Sequence, residues 1–297
     1  MTAFATKIPL DDLSTDAAWQ PLIIAVAPNG ARRTKVDHPS LPMTARESAD
    51  EAVQCRDAGA SMIHLHVRDR DGGHSLDADL YRGATSAIRA AVGDDVIIQV
   101  TTEAVGIYSA AEQMAMVRDV RPEAISTAVR ELVPDEAAER GAAEFYTWAA
   151  RENIAVQFIL YDGDDVMRFS DLRKRGVIPG DVVSVLYVLG RYAKDQKSRP
   201  SDLLEFMDAA RSVSADWHWS MCAFGPLESA CALSAASFGG HVRVGMENNL
   251  YLSDGTLTPG NAALVHQVLD GATLLGRPVA TAAQAREILA SPVAGVL

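Results

Sequence analysis

Short apolar runs alternate with longer amphipathic stretches along most of the chain. Runs rich in Val and Ile occupy 22–27, 61–66, 96–101, 124–128, 155–161, 182–189, 217–223 and 241–246. Their length and β-branched content predict strands, and no hairpin turn joins one to the next. The stretches between them carry helix signals. Thr44-Ala-Arg-Glu47 and Ser109-Ala-Ala-Glu112 have capping-box spacing, and the first opens a helix that stops at Gly59. Pro134-Asp-Glu-Ala opens another, with Pro and acids in the first turn. Further helices are predicted near 165–175, 201–212, 227–238, 261–270 and 282–290. Eight strands with intervening helices predict an α/β protein with a (β/α)8 TIM barrel. A doubly wound sheet is the competing arrangement. It is disfavoured because the first strand's turn, Pro28-Asn-Gly-Ala-Arg32, lacks G-x-G-x-x-G. Residues 1–20 read as a short N-terminal extension and 21–297 as a single catalytic barrel.

Composition narrows the class. Of 297 residues, 48% are hydrophobic and 22% charged, as in folded globular proteins. Apolar runs fall short of the roughly 18–20 residues that span a bilayer, and the N-terminus has no signal-peptide pattern. A membrane partner is therefore not expected, and the cytoplasm is. Lys and Arg number 27 against 39 Asp and Glu, a net charge of −12 that repels nucleic acid. Three cysteines without a CxxC fit a reducing compartment and exclude a cysteine-rich metal site. G-x-S-x-G and H-E-x-x-H are absent, which removes the usual serine-hydrolase and zincin signatures.

The sharpest chemistry lies in Met62-Ile-His64-Leu-His66-Val-Arg68. Alternate side chains share one face of a strand, so His64, His66 and Arg68 point one way and the aliphatic residues the other. Two imidazoles about 6.6 Å apart along a strand can converge on one metal, or can simply hydrogen-bond at a strand end. Glu247, at the end of the eighth strand and in parity with Arg243 and Gly245, is the best third ligand. Its alternative is an ion pair with Arg68 across the barrel mouth. Arg32 and Arg33 lie on the loop after the first strand, where an Arg can clamp a carboxylate or remain a solvated pair. Thr101, Thr102 and Glu103 end the third strand, and Ser126 and Thr127 lie in the fourth. Their hydroxyls can bind substrate oxygens or cap loops. His38, His74 and His266 read as loop or helix-surface residues, and His218 as a packed or rim residue. Asp162, Asp164 and Asp165 form an acidic loop that can cap the following helix.

With these residues in view, the chain resembles the β-keto acid cleavage enzymes, typified by 3-keto-5-aminohexanoate cleavage enzyme. GASMIHLHVRDRDG, GGHVRVGMENN and GRPVATAAQAREIL carry the resemblance, which runs from about Pro21 to Leu289. It implies a zinc-dependent TIM barrel, a homo-oligomer of two to four subunits, that condenses a β-keto acid with acetyl-CoA. The products are acetoacetate and a new acyl-CoA. It further implies that His64, His66 and Glu247 hold Zn²⁺, and that Thr101 and Ser126 bind substrate. Arg243 matches an Arg that partners the catalytic base. Its backbone lies about 13 Å from Glu247 along an extended strand, so a bend or a long side-chain reach is needed.

Departures from the family pattern are as informative. The base, an Asp after the ligand Glu, is Asn248 here, and an amide cannot accept a proton at neutral pH. Glu103 and a zinc-bound hydroxide are the candidate replacements. A supporting family Glu falls at Ile159, with Asp162 the nearby substitute. An acidic residue that holds a substrate amino group becomes Arg32, which favours a keto acid with an anionic distal end. Two rival readings stay open: another metal-dependent C–C lyase or hydrolase, and a metal-retaining binding protein without turnover.

Overall fold

The structure is a computed structural model and describes residues 19–291. Eight parallel strands close into a barrel: β1 (Ile24–Val26), β2 (Met62–Leu65), β3 (Ile97–Thr101), β4 (Ala124–Ala128), β5 (Ala155–Leu160), β6 (Ser184–Leu189), β7 (His218–Ala223) and β8 (His241–Val244). Each pairs with its sequence neighbour, and β8 returns to β1 in the register Ile24↔Val242. Helices surround the barrel: α1 (Ala45–Asp57), α2 (Ala78–Val92), α3 (Ala110–Val120), α4 (Val129–Leu132), α5 (Glu136–Arg151), α6 (Gly163–Lys174), α7 (Leu203–Ser212), α8 (Glu228–Ser237), α9 (Asn261–Leu274) and α10 (Ala282–Ala290). This is the (β/α)8 barrel that the strand–helix alternation predicts.

Alternation along each strand sorts the side chains into two environments. Ile63, Leu65, Ile98, Val100, Ile125 and Phe158 face outward and join the main core against the helices. Inward residues form layers. Ile23, Ala25, Met62, Ile97 and Ala124 plug the N-terminal end, covered by Ala285 and Ile288 of α10. Ala128, Ile159, Leu186, Val188 and Cys222 form an apolar layer toward the C-terminal end. Polar side chains such as Gln99 and Gln157 lie between these layers.

Both predicted capping boxes form, at Thr44 with Glu47 and at Ser109 with Glu112. Three features differ from the sequence reading. Helix α2 was not anticipated: it starts on Asp77, whose side chain accepts from Asp79 and Leu80 N–H, and it buries Tyr81, Ala84, Ile88 and Val92. Pro134 lies outside α5 rather than in its first turn, because Asp135 takes the N-cap. The eighth strand stops at Val244, two residues early, because Gly245 turns the chain with φ +138°. A small hairpin, Val67–Arg68 with His74–Ser75, sits beyond the end of β2. Among the described helices none is long and apolar enough to cross a membrane. Residues 1–18 of the expected N-terminal extension lie outside the described residues.

Candidate metal centre and active site

His64 in β2 and His66 just beyond its end point to the same side, and their Nε2 atoms lie 3.1 Å apart. Glu247 Oε2 stands 3.7 Å from His64 Nε2 and 3.4 Å from His66 Nε2. Donors on a tetrahedral zinc at 2.0–2.1 Å are about 3.3 Å apart, so the three atoms already have the spacing of a ligand set with a position left over. The remaining contacts agree. Gln99 Oε1 lies 2.8 Å from His64 Nδ1, which puts the proton on Nδ1 and leaves a lone pair on Nε2. Glu247 Oε2 is buried and has no hydrogen-bond partner among the described residues. Two imidazole nitrogens and a carboxylate oxygen converging without intervening donors need a cation to be favourable. Burial, helped by Arg243, holds the His64 imidazole well below its usual range and therefore neutral. For Glu247, burial pushes upward, but Arg243 and both imidazoles overcome it and keep the carboxyl ionised. The described residues fit a divalent ion.

Glu247 does not arrive by continuing β8. The chain turns at Gly245, and Glu247, Asn248 and Asn249 form a tight turn: Glu247 N–H donates to Ala27 O, and Asn248 and Asn249 N–H to Gly245 O. A side chain on Gly245 would meet Ala27 O at 2.4 Å, so glycine is required there. The turn is clamped from both sides. Arg33 donates to Met246 O at 2.6 Å, and buried Glu228 accepts from Gly245 N–H and Asn249 Nδ2. Burial raises the Glu228 carboxyl to about 8. The same bend brings Arg243 Nη2 to 3.1 Å from Glu247 Oε1. Arg68 does not pair with Glu247: its guanidinium donates to Gly30, Arg33 and Gly72 carbonyls and holds the β1 loop.

A small cavity of about 60 Å³ opens beside Glu247, and Arg32, Glu103 and Arg191 line it with that carboxylate. Arg32 is exposed at its rim and has no ion pair among the described residues. Glu103 pairs with Arg191 at 3.3 Å, and Arg191 lies over the Phe224 ring. The hydroxyls expected to bind substrate divide. Thr101 Oγ1 accepts from Glu103 N–H and so fixes the Glu103 loop, whereas Ser126 Oγ is buried and has no partner among the described residues. Asn248 is fully buried, and both its amide atoms lack partners among the described residues.

Two expectations fail. Asp162 does not support the site. It caps α6, as the acidic-loop reading expects, and pairs with Arg130, and Ile159 belongs to the apolar layer. His74 is not a surface residue. The hairpin folds it to 5.3 Å from His66, ring centre to ring centre, and its Nε2 donates to Glu103 O. Burial lowers its imidazole to about 4. His38 is a loop residue as expected, but a buried one, bonded to Thr258 O. No local pattern marks His74, because its burial follows from a turn around Gly72 and Gly73. Gln99 was also missed. Its position two residues before Thr101, on the same face, was the available signal.

Comparison with known proteins agrees with this geometry. The family described as beta-keto acid cleavage enzyme matches residues 21–290. The 3-oxoadipate:acetyl-CoA acetyltransferase of Cupriavidus necator is 30% identical over 282 residues, covering 92% of this chain and 96% of that one. The 3-keto-5-aminohexanoate cleavage enzyme of Acetoanaerobium sticklandii is 32% identical over 275 residues, covering 90% and 97%. Among solved structures, apo ObcA shares the fold with a TM-score of 0.68 at 17% identity, covering 86% of this chain and 66% of that one. With the match running through every strand of the barrel, this chain belongs to the beta-keto acid cleavage enzyme family.

Proposed function

We propose that the protein is a zinc-dependent enzyme that condenses a small, anionic β-keto acid with acetyl-CoA, giving acetoacetate and a new acyl-CoA. The observation that carries the reading is the convergence of His64, His66 and Glu247 on one point, with Glu247 also lining the cavity that holds Arg32, Glu103 and Arg191. A divalent ion held by these three would act as a Lewis acid toward the keto carbonyl. In the net reaction, C2 of the keto acid bonds to the acetyl carbon as the acetyl C–S bond breaks, the CoA sulfur bonds to C3 as the C2–C3 bond breaks, and the proton taken from C2 returns to C2 of the acetoacetate. A base must first remove a C2 proton. Asn248 cannot accept it, so the task falls to Glu103, the cavity's second carboxylate. Arg191 orients Glu103 through an ion pair at 3.3 Å. Ser126, with a free buried hydroxyl, is available to a substrate oxygen. Arg32 offers an unpaired guanidinium for a distal carboxylate, which suits a dicarboxylic keto acid such as the one the Cupriavidus necator relative is named for.

Metal analysis of purified protein, followed by acetoacetate assays on mono- and dicarboxylic β-keto acids with and without acetyl-CoA, tests this. One bound zinc per chain and acetyl-CoA-dependent acetoacetate are expected, both lost to chelator. Asn248 favours one second reading, a binding protein that retains the metal. Tight keto-acid binding with no turnover across the panel would establish that reading instead.

A further inference from the structure

Beneath the ligands, a line of side-chain hydrogen bonds crosses the barrel. His64 Nδ1 donates to Gln99 Oε1 at 2.8 Å. Gln99 Nε2 donates to Gln157 Oε1 at 3.3 Å, and Gln157 Nε2 reaches Ser184 Oγ at 3.2 Å and Ser220 Oγ at 3.4 Å. The line starts in β2 and passes through β3 and β5 to β6 and β7. His64, Gln99, Gln157 and Ser220 are all buried, and the line lies between the apolar plug and the apolar upper layer. Gln99, Gln157 and Ser184 also line a cavity of about 410 Å³, and within the line each amide is satisfied by its neighbours.

Direction matters in such a line. An amide presents a carbonyl at one side and an NH2 at the other, so fixing one contact fixes the next. If Gln99 turned its NH2 toward His64, Nδ1 would have to accept, the ring proton would sit on Nε2, and that atom could not ligate a metal. The line ends on two serine hydroxyls. Hydroxyls can donate or accept, so they tolerate either direction and do not select one. The serines therefore accommodate the direction in which the Gln99 carbonyl meets Nδ1–H, and the contact that bears on the ring proton is the one Gln99 makes.

We propose that Gln99 is a positioning residue: it fixes His64 in the Nδ1–H form and so keeps Nε2 free for the ion, with Gln157 and the serines holding the Gln99 amide in place. This rests on the metal reading above, and it reaches beyond the ligand set to the barrel interior. It makes an uncommon demand. Gln99→Glu should be tolerated, since a carboxylate also accepts from Nδ1–H. Its second oxygen would face Gln157, whose amide can reverse and donate because the serines can then donate to its carbonyl. Gln99→Met keeps the volume but removes the acceptor. Gln99→Asn keeps the polarity but withdraws the acceptor by one methylene.

The test is zinc affinity by chelator competition on each purified variant, with apo-protein melting as the folding control and the Co²⁺ absorption spectrum as the readout of ligand geometry. Loss of such a partner typically weakens metal binding about 10–100-fold. That loss and an altered Co²⁺ spectrum are expected for Gln99→Met and Gln99→Asn, with Gln99→Glu within about threefold of the parent. The proposal is overturned if either folded acceptor-loss variant binds zinc as the parent does, or if Gln99→Glu loses as much as they do. Should Gln99→Met fail to fold, Gln99→Asn, which keeps an amide in the line, decides alone. A parent protein that binds no zinc would instead sink the metal reading itself.

Discussion

Gly30 and Glu247 are so close that a methyl group on the Gly30 α-carbon would stand 2.4 Å from Glu247 Cγ. The β1 loop therefore shapes the space into which the third ligand fits, and it does so by leaving a side chain out. Gly30→Ala should push Glu247 off the histidines and weaken zinc binding by at least about tenfold. Its φ of +60° adds strain of about 1 kcal/mol. Gly255→Ala separates the two effects. Gly255 has a comparable φ of +84°, but an added methyl there meets nothing within 4 Å. It should lower the melting temperature to a similar degree and leave zinc affinity unchanged. Equal zinc losses in both variants would refute the steric account.

His241 supplies a pH dependence at the opposite end of the barrel. Its Nδ1 accepts the Ile23 N–H at 3.1 Å, which requires a neutral ring. Burial, reinforced by Arg277 and His218, lowers its imidazole to about 3. The unfolded chain binds a proton below about 6.5 and the folded chain does not, so stability is present above 6.5 and drains away as pH falls toward 3. Between pH 6.5 and 5 the loss from this residue is about 2 kcal/mol. Gln at position 241 can accept from Ile23 without titrating. His241→Gln should therefore lose less stability than the parent between pH 7 and 5 in denaturant melts. Parallel pH profiles would contradict this assignment.

What the sequence disclosed follows from how locally each feature is determined. Strands rich in Val and Ile, and capping boxes such as Thr44 with Glu47, depend on neighbours a few residues away, and these were read to within a residue or two. Helix α2 escaped because it opens on Asp77 without a box, although Tyr81, Ala84, Ile88 and Val92 hold helical spacing. Glu247 was placed correctly for an incomplete reason. Parity assumed an unbroken strand, whereas the Gly245 turn and the Arg33 clamp deliver the carboxylate. That turn also removes the 13 Å objection to an Arg243–Glu247 contact. His74 and Asp162 depend on folding of distant segments, the hairpin and the Arg130 pair, which periodicity does not encode.

The identity of the proton acceptor can be decided by a pair of substitutions. If Glu103 removes the substrate proton, Glu103→Gln should cut acetoacetate formation by about 10²-fold or more while zinc content stays the same. Asn248→Asp would add a carboxylate beside Glu247 on the same turn. It should raise turnover in the Glu103→Gln background, where the base is missing, by more than in the parent. Unchanged activity in Glu103→Gln would remove Glu103 from the mechanism. No gain from Asn248→Asp in either background would show that position 248 no longer faces the reacting carbon.

On the proposed function, substrate choice would turn on Arg32, at the cavity rim and free of any carboxylate partner among the described residues. Arg33 cannot share the role, because its guanidinium is committed to the Met246 and Asn248 carbonyls. Arg191 is committed to Glu103. A distal carboxylate on the keto acid would thus find its ion pair at Arg32, and a keto acid ending in a methyl group would not use it. Arg32→Glu should raise KM for a dicarboxylic β-keto acid at least about tenfold, through loss of the pair and like-charge repulsion, with less than about threefold change for a monocarboxylic one. For a substrate carrying a distal amine the same change should lower KM. Equal shifts for all three substrates would mean that Arg32 acts on the shared C1 carboxylate or on the loop itself, and that the distal end is read elsewhere.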